Sequence, residues 1–228
     1  MVPDQPDESS AGEVAARSQI YQCFAIAFSH PTDDFLDDIF SGDFLSTLIL
    51  LGSRLPYATP FNAVEEDALR TAELSRAMVS TFYTSQFESG GHTISLRESG
   101  YSSMTEKALM EDVFRFYRFF GLDLSGSVLR ESPDNLSVEL EFLHYLTYLE
   151  SRGGEAPAAQ RNSDALRRGQ RDFIQQHPGS WLGPFCARLK GIPDSAVYAY
   201  LAGLLQRFID SEERFLSSLL GGVIAKSR

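Results

Sequence analysis

Apolar residues recur along most of the chain at the spacing of amphipathic helices. Near its start, Ile20, Phe24, Ala27 and Phe28 share one helical face, and Pro31 ends that helix. The same periodicity predicts further helices over residues 33–40, 44–51, 63–87, 109–120, 173–189 and 194–220. No strand-like alternation bounded by turns competes with these patterns. The sequence therefore predicts an all-α fold.

Glycine and proline positions divide the pattern. Gly121 stands where the preceding helix would take its C-cap, and Pro178 splits one of the later helices into two pieces. Residues 88–103 are rich in glycine and serine, so we expect a long exposed loop there. Residues 2–12 have few large apolar side chains and are rich in proline, acidic residues and serine, so residues 1–12 are expected to form a flexible tail. Residues 13–228 are then expected to form one helical domain.

Residues 133–149 differ from the other predicted helices because they are apolar on two sides. Leu136, Leu140 and Leu143 form one stripe. A second stripe, on another face, consists of Val138, Phe142, Tyr145 and Leu149. A helix of this kind must be buried by neighbours on both sides. We therefore expect it to lie at the centre of a single-domain helical bundle.

Charge and hydropathy narrow the class of partner. The 228 residues include 31 acidic and 20 basic side chains, which gives a formal net charge of −11. Such a field repels nucleic-acid phosphates and anionic membranes and favours a basic partner, such as an arginine-bearing peptide, although acidity also serves solubility alone. No secretory signal opens the chain, and its longest apolar run, residues 44–51, is far below the roughly 20 residues that span a bilayer. We expect a cytoplasmic protein without membrane insertion.

The sequence contains none of the common motifs of catalytic or metal-binding sites. The four histidines are scattered, with none at helical spacing from another or near a cysteine. Cys23 and Cys186 lie within apolar helical patterns and are expected to be buried thiols in a reducing compartment. Phosphate-loop, dinucleotide and nucleophile-elbow motifs are also missing from the sequence. We therefore expect a binding protein rather than an enzyme, with no catalytic residue, metal or cofactor.

An acidic constellation lies at the predicted start of the central helix. Ser132 can cap that helix, Pro133 suits its first position, and Asp134 complements the positive end of the helix dipole. Capping leaves three carboxylates unexplained, those of Glu131, Glu139 and Glu141. Capping and ligand binding therefore both remain open for this segment.

The same residues carry a resemblance to a known family. Residues 131–136 (Glu-Ser-Pro-Asp-Asn-Leu) and 139–143 (Glu-Leu-Glu-Phe-Leu) resemble the Glu-x-Pro-Asp-His motif and following helix of the TorD/DmsD/NarJ group of redox-enzyme maturation chaperones. Asn135 replaces the histidine of that motif, which keeps hydrogen bonding but removes a titratable group. Further similar stretches follow the family order, at residues 17–31, 98–101 (Glu-Ser-Gly-Tyr), 116–122 and 173–185. The resemblance extends from about residue 14 to residue 216.

The resemblance implies a fold and a function. Such chaperones are single-domain helical bundles that bind the precursor of a molybdenum-cofactor oxidoreductase, both its twin-arginine signal peptide and its apo form. They assist cofactor insertion and delay export of the enzyme. The Glu-Ser-x-Tyr element is similar to that of the NarJ-like branch, which favours a client of the dimethyl-sulfoxide-reductase type.

A client of this kind calls for a groove with an acidic rim and an apolar floor. Glu131 and Asp134, joined by Glu98 from the loop, would accept bidentate hydrogen bonds from two guanidiniums. Aromatic side chains would bind the hydrophobic part of the signal peptide as a helix. The predicted client-binding residues are Glu131, Pro133, Asp134, Asn135, Glu139, Glu98, Tyr101, Tyr21, Trp181 and Phe185. Core packing is an alternative role for Tyr21, and the more common one for an i, i+4 pair such as Trp181 and Phe185.

Two rival functions share these features. One is a helical adaptor that binds a protein other than a molybdoenzyme. The other is a nucleotide hydrolase in which Asp134 and Glu131 hold a magnesium ion. Long helices joined by extended loops allow either a monomer or a dimer that exchanges helices.

Overall fold

The computed structural model describes residues 8–62, 75–89, 94–122, 131–152 and 163–226, apart from the side chains of residues 8–10 and 222–226. Its α-helices, in chain order, are α1 Glu8–Ala27, α2 Asp33–Ser41, α3 Asp43–Gly52, α4 Arg76–Tyr83, α5 Glu106–Phe119, α6 Leu136–Ser151, α7 Ser163–Gln176, α8 Pro178–Leu189 and α9 Ala196–Lys226. Within these ranges, β-structure is limited to one isolated bridge between Arg97 and Asn135. None of the described helices is both long and apolar enough to cross a bilayer. The predicted all-α fold is confirmed.

The helix ends follow the local sequence. Thr32 caps α2 with its side-chain oxygen, as short hydroxyl residues commonly do. At the end of α5, Gly121 has a φ of 88°, a left-handed conformation that glycine adopts without strain. The Leu122 N–H donates to the Tyr117 carbonyl at 2.9 Å, and the Gly121 N–H donates to the Arg118 carbonyl at 3.0 Å. These two bonds form a Schellman motif, which confirms the C-cap predicted at Gly121.

Helix α6 lies at the centre of the bundle, as its two apolar stripes predict. Leu136, Leu140 and Leu143 on one stripe are fully buried, and Phe142 on the other is buried as well. Helix α1 packs along α6 in the opposite direction. Arg17, at the middle of α1, contacts Glu150 near the end of α6, whereas the residues that follow α1 line a groove with the start of α6. Packing on several sides therefore holds in place the helix whose start carries the acidic constellation.

A buried polar network joins the helices that surround this centre. The Arg17 guanidinium donates to Glu212 of α9 at 2.8 Å from Nε and to Gln170 of α7 at 2.7 Å. It also reaches Glu150 of α6, at 3.3 Å. Glu212 accepts further hydrogen bonds from two hydroxyls, those of Tyr21 at 2.9 Å and Tyr57 at 2.6 Å. Burial alone would lower the pKa of Arg17, but the two carboxylates raise it, so the guanidinium stays charged.

The two cysteines are half-buried and free of any disulfide. Burial raises the pKa of both Cys23 and Cys186 to about 11. Thiolate is the nucleophilic form of cysteine, so both thiols are weakly reactive at neutral pH.

Three segments differ from the sequence prediction. Helix α1 begins at Glu8, so residues 8–12 of the predicted flexible tail are helical. The predicted helix over residues 63–87 is observed as α4, followed by a π-helical turn, Thr84–Glu88. Residues 63–74 of that prediction lie outside the described residues.

The third difference concerns the predicted exposed loop. Residues 94–101, hereafter the strap, are packed against the bundle, with Ile94, Leu96 and Glu98 at most 3% exposed. The strap contains a short 3-10 helix, Glu98–Gly100. Glycine and serine content predicted exposure here, but the alternating apolar residues of the strap are what the fold buries.

Candidate functional site

The strap pairs with the segment that opens α6. The Glu98 N–H donates to the Asp134 carbonyl at 2.9 Å, and the Leu136 N–H donates to the Leu96 carbonyl at 2.8 Å. The second bond satisfies one of the backbone donors that every helix N-terminus leaves unpaired. The strap therefore fixes the position of the whole acidic constellation relative to the bundle.

The constellation caps α6 in a different way from the one that the sequence suggested. Helix α6 begins at Leu136, and Asn135 is its N-cap, since Asn135 Oδ1 accepts from the Ser137 N–H at 3.0 Å. The capping role predicted for Ser132 and the first-position role predicted for Pro133 are therefore wrong by three residues. Both lie in the turn before the helix, where the Pro133 carbonyl accepts a hydrogen bond from the Tyr117 hydroxyl of α5 at 2.8 Å.

The Asp134 carboxylate is buried and already bonded within the chain. It accepts from Arg97 Nε at 2.9 Å and from the Ser99 N–H at 3.1 Å. Burial would raise the pKa of this carboxyl, but hydrogen bonds from Ser132, Ser99 and Arg97 lower it below its ordinary value. In this conformation Asp134 serves the strap and does not face solvent. The alternative of a magnesium ion held between Asp134 and Glu131 therefore has no support from the geometry.

Glu98 and Glu139 also lie in the interior. Glu98 Oε2 is 2.9 Å from His177 Nδ1 at the junction of α7 and α8. Glu139 Oε2 accepts from Trp181 Nε1 at 3.2 Å. Burial, together with the charge and hydrogen bond of Glu98, raises the pKa of Glu139 well above its ordinary value, which favours the protonated form of Glu139. Both glutamates hold the strap and α6 to α8.

The aromatic residues of the predicted site lie mostly in the core. Tyr21, Trp181 and Phe185 are at most 2% exposed. Tyr101 is half-buried and stacks on Trp181 with ring centroids 5.2 Å apart. The Arg188 guanidinium covers the other side of the Tyr101 ring, 4.3 Å from its centroid. In this conformation the four rings anchor the strap and fill the bundle, and the first three do not reach the surface.

An open groove lies beside the exposed part of the constellation. It has a cavity volume of about 790 Å³ and is formed by the end of α1, the end of α5 and the first half of α6. Its lining residues are Ser29, His30, Thr32, Tyr117, Leu122, Glu131, Ser137, Val138, Glu141, Phe142 and Tyr145. We call it the α1–α6 groove. Of the predicted site residues, Glu131 is the one that lines it.

The polar and apolar sides of this groove are separate. The Glu131 and Glu141 side chains are exposed at its rim. The Glu141 carboxyl is nevertheless partly screened from water by its neighbours, and this partial burial raises its pKa. The groove residue His30 contacts a third carboxylate, with its Nδ1 2.7 Å from Oε1 of Glu88. The floor consists of apolar side chains of α5 and α6, namely Leu122, Val138, Phe142 and Tyr145. This arrangement suits a cationic segment joined to an apolar one.

Comparison with known proteins assigns the chain to a protein family. The family described as "Nitrate reductase delta subunit" matches residues 55–187, more than half of the chain. The chain belongs to this family. The matched range contains the strap, the acidic constellation, α6 and nearly all of α8, whereas the α1 wall of the groove precedes it.

Three proteins that are similar to this chain are all named as assembly chaperone proteins. A selenate reductase assembly chaperone protein of Thauera selenatis is 34% identical over 64% of this chain and 74% of its own length. A chlorate reductase assembly chaperone protein of Ideonella dechloratans is 29% identical over 76% and 86%, respectively. A dimethyl sulfide dehydrogenase assembly chaperone protein of Rhodovulum sulfidophilum is 27% identical over 96% and 88%. No solved structure matches the chain.

These relatives confirm the predicted family and class. They are assembly chaperones and not catalysts, which agrees with the predicted redox-enzyme maturation chaperone of the TorD/DmsD/NarJ type. Among the described residues of this family member, no cluster of three histidine, cysteine or acidic side chains has a geometry that could hold a metal ion.

The predicted site left out Glu141 and His30, which line the groove, and Glu88, which contacts His30, although the Glu141 carboxylate had been noted as one that capping does not explain. Glu141 lies on the same helical face as Val138 and Tyr145, at i, i+3, i+7 spacing, so an acid within an apolar stripe was the available signal. Glu88 and His30 had no such signal. They are 58 positions apart in sequence, and only the packing of the end of α1 near the π-helical turn brings them together.

Proposed function

We propose that this protein is a cytoplasmic assembly chaperone for the catalytic subunit of a molybdenum-cofactor oxidoreductase of the dimethyl-sulfoxide-reductase type. It binds the apo precursor and its twin-arginine signal peptide, assists cofactor insertion and delays export. The names of its relatives, which concern selenate, chlorate and dimethyl sulfide enzymes, support a client of this class. The observation that carries the peptide-binding part is the acidic rim over an apolar floor in the α1–α6 groove.

The chemistry of a twin-arginine signal peptide matches the two sides of this groove. Guanidiniums carry only donors, and the exposed Glu131 and Glu141 carboxylates carry only acceptors. The apolar stretch that follows the arginines would lie over Val138, Phe142 and Tyr145 as a helix in a groove. Within this proposal, Glu141 takes the place of Asp134 and Glu98 as the second acid, because those two are bonded internally.

Direct peptide binding tests the groove. A fluorescent twin-arginine signal peptide is titrated with the wild-type protein and with the double variant Glu131→Arg, Glu141→Arg. Charge reversal at the rim places guanidiniums against guanidiniums, so we expect affinity to fall by about tenfold or more. Helical content should stay unchanged and the melting temperature should change by at most a few degrees, since both side chains are exposed and Glu131 accepts a single hydrogen bond, from Asn135.

A matched control separates the groove from the overall charge. Glu111 is exposed on α5 and does not line the groove, so Glu111→Arg should leave affinity nearly unchanged at physiological salt. The control changes the net charge by half as much as the double variant, so a loss of binding free energy in Glu111→Arg about half as large as that of the double variant would assign the effect to net charge. Unaltered binding by the double variant would refute the groove as the peptide site.

Oligomeric state belongs to the same proposal. We propose that the chaperone acts either as a monomer or as a dimer that exchanges helices. Light scattering of the eluting protein distinguishes a mass near 25.4 kDa from twice that value.

A further inference from the structure

Asn135 lies directly beneath two residues that line the α1–α6 groove. It is 7% exposed. Its Oδ1 accepts from the Ser137 N–H and from the Ser137 hydroxyl, both at 3.0 Å. Its Nδ2 donates to Glu131 Oε2 at 3.2 Å. One amide group therefore bonds both polar groove residues that flank the start of α6.

The orientation of this amide follows from its neighbours. The Ser137 backbone N–H can only donate, so the Asn135 oxygen must face it. The Glu131 carboxylate can only accept when ionised, so the Asn135 nitrogen must face that side. Both neighbours require the same orientation, and the reversed amide would place two acceptors together and two donors together.

This orientation has a consequence for the groove surface. The Ser137 hydroxyl spends its hydrogen on Asn135 and keeps only lone pairs for a ligand. Asn135 holds one carboxylate oxygen of Glu131, and the other oxygen has no hydrogen-bond partner among the described residues. The groove end of α6 thus offers acceptors without donors, a surface that selects groups such as guanidinium, which only donate.

We infer that Asn135 is a positioning residue that orients Glu131 and Ser137 as acceptors for a guanidinium in the α1–α6 groove. The inference rests on the proposed function, because it names how the same groove selects arginine. Asn135 itself does not touch the ligand, since it acts from below through the two residues that line the groove.

The variant Asn135→Asp separates positioning from capping. Aspartate caps a helix about as well as asparagine, so the bond to the Ser137 N–H is kept. The second aspartate oxygen, however, cannot donate to Glu131 and repels it. We expect this variant to keep its melting temperature within a few degrees and to bind the fluorescent twin-arginine peptide about tenfold more weakly.

A double-mutant cycle tests whether the effect passes through Glu131. In a Glu131→Ala background, Asn135→Asp should cause no further loss of peptide affinity. Equal losses in both backgrounds, or no loss in either, would overturn the positioning role. Peptides with both arginines changed to glutamine should bind weakly to every variant and should not distinguish Asn135→Asp from wild type.

A second readout does not depend on the peptide. In the free protein, the ¹⁵N–¹H resonances of the Asn135 side-chain amide should shift in Glu131→Ala and stay in place in Glu141→Ala. An unshifted amide in Glu131→Ala would refute the contact. If the amide shifts in Glu131→Ala but the wild-type protein does not bind the peptide, the contact between Asn135 and Glu131 is confirmed and peptide binding in the proposed function is refuted.

Discussion

The interior of the protein holds a carboxyl pair that its folding must accommodate. Glu139 is fully buried, and Trp181 donates to one of its oxygens. Glu98 beside it is bonded to His177. An isolated buried carboxylate is costly, so the pair is stable in this place when Glu139 carries a proton.

Glu139 should therefore make stability fall as pH rises. Its pKa in the folded protein is raised above 4.5, the ordinary value of a glutamate. Below the ordinary value both states are protonated, and its stabilising contribution is complete. As pH rises toward the folded pKa, the unfolded chain releases a proton that the folded protein keeps, and stability falls by about 1.4 kcal/mol per pH unit.

The isosteric change Glu139→Gln tests this dependence. Glutamine imitates the protonated acid, so the variant should match wild type below pH 4.5 and become the more stable protein as pH rises above that value. Urea unfolding across this pH range measures the difference, with Glu111→Gln on the surface of α5 as the control. A constant difference across the pH range would show that Glu139 is not the protonated partner.

At the scale of elements, the strap explains why the acidic constellation stands where it does. Its backbone pairs with residues 134–136, its Arg97 bonds Asp134, and its Tyr101 packs between Trp181 and Arg188. The strap thereby holds the start of α6 against α8. The position of that start in turn determines where Glu131 lies.

Loss of the Asp134 carboxylate should loosen the strap. Asp134→Asn removes a charged acceptor from Arg97 and Ser99, which we expect to cost about 1–3 kcal/mol of unfolding free energy at neutral pH. Because the folded pKa of Asp134 is lowered, its contribution is present above the unfolded pKa. It is lost as pH falls through the folded pKa, so wild type and variant should converge in acid.

The surface variant Asp37→Asn provides the comparison for this prediction. Asp37 pairs with Arg76 where both side chains are more than half exposed, and such pairs contribute about 0–1 kcal/mol. Denaturant unfolding should therefore show a larger loss for Asp134→Asn than for Asp37→Asn. Equal losses would mean that the strap does not depend on Asp134.

The elements themselves were predictable, because their signals are local. The two apolar stripes of α6, the C-cap at Gly121 and the break at Pro178 each follow from a few neighbouring residues. The site was less predictable, because exposure of a carboxylate depends on residues distant in sequence. Asp134 and Glu98 are acids like Glu131, yet only packing of the strap places the first two inside and leaves the third in the groove.

At the scale of the whole molecule, the Arg17 network connects both ends of the chain. Arg17 of α1 and Glu212 of α9 are 195 positions apart, and the network also includes residues of α6 and α7. Buried ion pairs of this kind contribute less to stability than their charges suggest, but a single partner left alone is strongly unfavourable.

Breaking this network should destabilise the whole bundle at once. Arg17→Met leaves Glu212 buried without a cation, while Glu150 keeps its pair with Arg167. We expect this to cost about 3–5 kcal/mol in a single cooperative unfolding transition. Arg76→Met on the surface should cost far less. A loss below about 1 kcal/mol for Arg17→Met would show that the network does not hold the helices together.

Co-purification from cells tests the central claim, that this protein holds an apo molybdoenzyme precursor. Tagged wild-type protein is recovered from its native cells during synthesis of such enzymes, with the double variant Glu131→Arg, Glu141→Arg in parallel, and bound chains are identified by mass spectrometry. We expect a catalytic subunit with its twin-arginine leader intact and without cofactor on the wild type, and much less of it on the variant. Recovery of no such precursor from cells that are making one would contradict the proposed chaperone function.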